Sequence, residues 1–93
     1  MVTDKLLTFD DLVFKPHIGV PGGVKATLTF SNGYSISVSG GGDGNTLYGD
    51  GVNTFEAWAS CDEVYRSYLT KEEVTEYMRS VQLITEFDDP FAF

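Results

Sequence analysis

Oxygen-bearing side chains gather where glycine is densest. From Ser39 to Asn53 the chain reads SGGGDGNTLYGDGVN and holds six of its ten glycines. Asp43, Asn45, Asp50 and Asn53 could supply oxygen ligands to a hard cation. A long flexible loop of turn-favouring residues has the same composition. The EF-hand pattern fails, because Tyr48 stands where its turn needs glycine. Cys61 and His17 are a nucleophile and base by residue type, but no orienting third group is marked. The alternative is a partly buried small thiol and a surface histidine after a proline. Asp10–Asp11, Glu72–Glu73 and Asp88–Asp89 have the groups for acid–base work. Adjacent side chains diverge on helix or strand, however, and each pair sits in a polar segment. One cysteine and one histidine cannot make a structural zinc site, which needs about four such ligands. No catalytic residue and no cofactor is expected, and an enzyme is the class least supported.

The elements that would position these residues must come from 93 residues, enough for one domain over residues 1–93 with one small core. Apolar residues make up 42% and aromatics 14%, too many for a disordered chain. No apolar run approaches the ~20 residues that span a bilayer. The opening MVTDKLLTFDD does not read as a secretory signal. A lone cysteine suits a reducing cytoplasm. Fourteen acids against six bases leave a net charge of −8. Residues 1–49 hold four acids and three bases, whereas residues 50–93 hold ten acids and three bases. That surface repels phosphate backbones and argues against direct nucleic-acid binding. It favours either plain solubility or a protein partner with a basic surface or groove.

Local patterns divide the chain. Thr8 and Asp11 form an N-cap pair over TFDDL. LVFKPHI reads as extended, with Pro16 marking a strand end or edge, and VPGG as a turn. Val24, Ala26, Leu28 and Phe30 alternate with polar residues, as do Tyr34, Ile36 and Val38. A two-residue Asn–Gly turn would place apolar residues on both faces of this hairpin. A three-residue loop pairs Phe30 with Tyr34, Leu28 with Ile36 and Ala26 with Val38 on one face, with Gly33 left-handed. Residues 39–53 read as the flexible loop. TFEAWAS at 54–60 reads as a strand with Phe55, Ala57 and Ala59 on one side. Trp58 then falls among polar neighbours, as cover for a second cluster or as an exposed anchor. EVYRSY at 63–68 reads as a fourth strand. Thr70 and Glu73 make a capping box and Leu69 and Val74 a hydrophobic staple, which open a helix over 70–84. Val74, Tyr77, Met78, Val81 and Ile84 form its apolar stripe. The fold expected is α+β: a small antiparallel sheet of three or four strands with one C-terminal helix packed on its apolar face. Residues 86–93 form an acidic, aromatic tail.

Three resemblances attach to these segments. GGDGN at 41–45 resembles the start of the calcium-binding RTX nonapeptide, but Thr46 replaces its aspartate and a single copy cannot stack. EFDDPFAF resembles the acidic tip of bacterial single-stranded DNA-binding proteins. That resemblance implies a protein-docking peptide carried by Asp88, Asp89, Pro90 and Phe93. The other reading is that Phe87, Phe91 and Phe93 fold back over the sheet. Over residues 8–84, the opening LTFDDLVFKPH, the hairpin GVKATLTFSNGYSISV, the glycine–tyrosine loop and the helix YLTKEEVTEYM resemble small bacteriophage and prophage proteins. That resemblance transfers no activity. It implies expression in a bacterial cytoplasm, where small acidic phage proteins often bind and block host nucleic-acid-handling or defence proteins. The expectation is a non-enzymatic inhibitor or modulator of such a protein. Its contact residues would be Trp58, Glu63, Glu72, Glu73, Glu76, Asp88, Asp89 and Phe93. The alternatives are a self-assembling virion protein, hence a homo-oligomer, and a small calcium-binding module.

Overall fold

Alternation with period two can bury one face of a hairpin only if both strands agree on which face that is. A computed structural model describes residues 6–42 and 47–84 and shows that agreement. Strands β2 (Gly23–Thr29) and β3 (Ser35–Gly41) pair antiparallel with Ala26 opposite Val38 and Leu28 opposite Ile36. The Phe30 N–H donates to the Tyr34 carbonyl at 2.7 Å, which closes the three-residue loop. Gly33 sits there at φ +93°, a conformation that a side chain would strain. Val38, Ile36 and Ala26 are buried as this register requires.

Among the described residues the sheet has five strands in the order β1-β2-β3-β4-β5, so the expected three or four is corrected upward. The added strand is β1 (Lys15–Pro16), two residues long and paired to Val24 and Lys25. Pro16 has no N–H to give, which confines it to an edge and keeps the strand short. Strand β4 (Phe55–Ala59) follows the expected alternation, with Phe55, Ala57 and Ala59 buried and Glu56 and Trp58 half-buried. Strand β5 is Arg66–Leu69, not 63–68. It pairs Leu69 with Phe55 and Arg66 with Ala57, so three steps on β5 face two on β4. The extra residue is absorbed as a bulge in which Tyr68 takes φ +57°.

The helix α1 (Lys71–Gln82) starts as its sequence dictates. Thr70 Oγ1 accepts from the Glu73 N–H at 3.1 Å, and Glu73 Oε1 accepts from the Thr70 N–H at 2.9 Å. Val74, Tyr77, Met78 and Val81 are buried against the inner face of the sheet. Its C-terminal carbonyls would be orphans. Asn32 in the hairpin loop serves them, donating from Nδ2 to the carbonyls of Val81 at 2.9 Å and Ile84 at 2.8 Å. Ahead of the sheet, Thr8 and Asp11 cap one 3₁₀ turn, Phe9–Asp11. Phe9 and Phe14 from this arm stack on Phe55 at 5.0 and 5.4 Å between ring centres. Core, helix and N-terminal arm therefore all lie on one side of the sheet.

The loop expected from residue 39 starts later, because Ser39–Gly41 complete β3 opposite Lys25, Val24 and Gly23. Residues 47–54 then fold back onto the sheet: the Gly41 N–H donates to the Gly49 carbonyl at 2.9 Å. A Cβ on Gly40 would lie 2.6 Å from Gly51 Cα, so the backbones meet where only glycine allows it.

Candidate interaction surface

The structure does not bring Cys61 and His17 together. His17 follows β1 at one edge of the sheet and Cys61 follows β4, three strands away, roughly 14 Å apart by strand spacing alone. Partial burial and the neighbouring Asp62 charge push the exposed Cys61 thiol upward, away from the thiolate a nucleophile needs. One member of each described acid pair serves the backbone. Asp11 Oδ2 accepts from the Thr8 N–H at 2.8 Å, as Glu73 does from Thr70.

Asp50 is a loop staple. Its Oδ1 accepts from the N–H groups of Val52, Asn53 and Thr54 at 2.8, 2.7 and 2.9 Å. Those three donors hold its pKa down to about 2, with Thr54 contributing most. An oxygen spent on three donors is a poor cation ligand. Asp43 and Asn45 lie outside the described residues. Among the described residues, no three His, Cys, Asp or Glu side chains group so as to hold a metal ion.

What the structure does assemble is a margin of aromatic rings and acids at β4 and β5. Trp58 projects from β4 to the outer face, away from α1, which resolves its conflict with the strand pattern. Its Nε1 donates to the Asp62 carbonyl at 2.9 Å, and its ring lies 6.3 Å from that of Tyr65. Beside them Tyr48 and Tyr68 meet edge to face at 6.1 Å. Glu56 Oε1 accepts from the Tyr48 N–H at 3.0 Å, so an acid sits between the two ring pairs. Tyr48, Tyr65 and Tyr68 are each about 60% exposed, and Glu63 is exposed at the same margin.

Asp62 anchors this margin to the core. It accepts from the Tyr77 hydroxyl, which itself accepts from the Ala59 N–H at 3.0 Å. Arg66 lies 4.3 Å from the centre of the Tyr77 ring and 3.5 Å from the Asp62 carboxylate. Burial pushes the Tyr77 hydroxyl above its ordinary pKa, so it stays a donor at neutral pH.

Of the expected contact residues, Trp58 and Glu63 lie at this margin, Glu63 next in the chain to the Asp62 carbonyl that Trp58 bonds. Glu72, Glu73 and Glu76 ride on α1, across the sheet from Trp58. There Glu76 faces Arg79 at 3.7 Å, and Glu72 and Glu76 border a hollow with Phe9 and Lys71. They form a second acidic surface and do not continue the first. Asp88, Asp89 and Phe93 lie outside the described residues. The tyrosines at 48, 65 and 68 were not singled out from the sequence. A tyrosine pair in EVYRSY was visible, but its exposure depends on the bulge.

No protein-family model, curated protein or solved structure matches the chain. Among the described residues, no helix is long and apolar enough to cross a membrane.

Proposed function

We propose that the chain is a non-enzymatic accessory protein of bacteriophage type. It binds a host nucleic-acid-handling or defence protein that carries a basic surface, and inhibits or modulates it in the host cytoplasm. The observation that carries this reading is the β4–β5 margin. Trp58 and Tyr65 stand on the outer face with Glu56 and Glu63 around them. Tryptophan and tyrosine are the residue types that dominate binding energy at protein interfaces. The flanking carboxylates steer a basic partner and reject nucleic acid. The resemblance of residues 8–84 to phage proteins supplies the context, and the acid-rich second half supplies the field.

The test is capture from bacterial lysate by the tagged full chain at roughly 50 mM and roughly 500 mM salt, a range over which exposed charges become screened. Trp58→Ala with Glu63→Lys forms one arm and Asp88→Asn with Asp89→Asn another. Recovery of one basic nucleic-acid-handling protein, lost at high salt and lost in the Trp58/Glu63 arm, supports the reading. Loss in the Asp88/Asp89 arm alone moves the contact to the tail. Recovery of no such protein under either condition overturns it.

A further inference from the structure

The outer face carries a second patch of opposite character. At its far side Lys15 stands directly across from Lys25 in the β1–β2 ladder. Like charges placed face to face across strands repel. Among the described residues neither lysine has a carboxylate partner. Val13, Pro16, His17 and Ile18 join the two lysines around an open groove of about 630 Å3, with no acid among the described residues that line it. Val13 is 71% exposed and Ile18 fully so. In a chain of net charge −8, two lysines with no carboxylate partner among the described residues, set among exposed aliphatic side chains, suit an acidic, apolar surface. The β4–β5 margin of the same face is such a surface.

Both patches look outward from one sheet, at its two sides. Between them lie short polar side chains: Thr27 and Thr29 of β2, Ser35 and Ser37 of β3, and the buried Ser39, which stands between Lys25 and Glu56 in the ladder. A two-fold axis through the middle of that face sets the groove of one copy against the aromatic margin of the other, twice over. Closed two-fold dimers use one self-complementary patch in this way. We propose that the chain forms a symmetric dimer, outer face to outer face. Lys15 and Lys25 of each copy then meet the acids of the other, Glu56 first, and Val13, level with Thr27, meets Trp58 and Tyr65. The sheet face measures roughly 24 Å by 20 Å from strand spacing and rise. It buries on the order of 1,000 Å2 in total, the low end for a specific interface, so the dimer dissociates readily. The dimer uses the margin assigned above to a host partner but does not depend on that assignment, and the two occupants compete.

Sedimentation equilibrium of the full chain decides it. In roughly 50 mM salt the mass rises with concentration and levels at twice that of the monomer; at roughly 500 mM it falls back. Lys15→Glu with Lys25→Glu makes the face acidic throughout, and Glu63→Lys with Tyr65→Lys reverses the other side. Each variant alone stays monomeric while its circular dichroism matches the wild type, and an equimolar mixture recovers the dimer. A wild type monomeric at every concentration overturns the proposal, as does growth past a dimer, or a mixture that stays monomeric. Dimerisation without capture of any basic host protein leaves this inference standing and removes only the partner reading.

Discussion

The two faces of one sheet solve different problems. The inner face carries Ala26, Ile36, Val38, Phe55, Ala57 and Ala59 under the helix, all of them buried. The outer face carries lysines, serines, threonines, Glu56 and Trp58, and borders most of the exposed large apolar side chains. Residues one position apart on the same strand belong to opposite sides of this division. Ala57 and Ala59 are fully buried, whereas Trp58, far larger, is only half covered. Burying the tryptophan in place of an alanine would remove more apolar surface from water. Here the size order is inverted where α1 packs on β4, with the Tyr77 hydroxyl close enough to accept from the Ala59 N–H. The large ring is left on the outer face, where Tyr65 and the Asp62 carbonyl partly cover it.

That contrast sets the order of expected effects. Met78→Ala empties a fully buried position and should cost about 3 kcal/mol, read as a lowered midpoint in urea. Tyr77→Phe removes the hydroxyl shared by Asp62 and Ala59 and should cost about 1–3 kcal/mol, because the Ala59 N–H loses its acceptor in a buried setting. Equal stability of that variant and the wild type would mean that the margin is not tied to the core through Tyr77. Thr70→Ala loses the helix cap and should cost about 1 kcal/mol, with thermal melting as the check.

Smaller effects test the outer surface. Backbone hydrogen bonds hold the Asp50 carboxyl at about 2 in the folded chain, against roughly 4 when unfolded. A lowered folded pKa adds stability that is fully present above the unfolded value and is lost as pH falls through the folded one. Wild type and Asp50→Asn should therefore differ most in melting temperature at pH 5 and above, and converge as the pH approaches 2. A constant gap across that range would show that the charge is not what holds residues 50–54. Least of all, Glu76→Gln breaks an exposed pair with Arg79 and should change stability by less than about 0.5 kcal/mol.

Much of the inner face can be read from residues alone. The hairpin register follows from requiring all apolar residues of Val24–Phe30 and Tyr34–Val38 on one side, and the ladder observes it. Both capping boxes, Thr8 with Asp11 and Thr70 with Glu73, involve partners three residues apart, a distance that local sequence specifies. The outer face was harder to read. Trp58 looked like a conflict because its partners, Asp62 and Tyr65, sit beyond a turn whose path no periodicity marks. Strand β1 is two residues long, below what alternation can register, so Lys15 gave no sign of facing Lys25. The shift of β5 to Arg66–Leu69 follows from a bulge at Tyr68, a residue whose type does not favour a positive φ.

The chain by itself determined the element types, the caps, the hairpin loop and the buried stripe of the helix. Each of these depends on residues within a few positions of one another and on a single period. Tertiary structure alone decided which sheet edges exist, that Lys15 opposes Lys25, and that Trp58 joins Tyr65 on the face away from the helix. Those juxtapositions arise from pairing between segments whose own sequences carry no record of their neighbour, because a backbone ladder forms through groups that every residue shares.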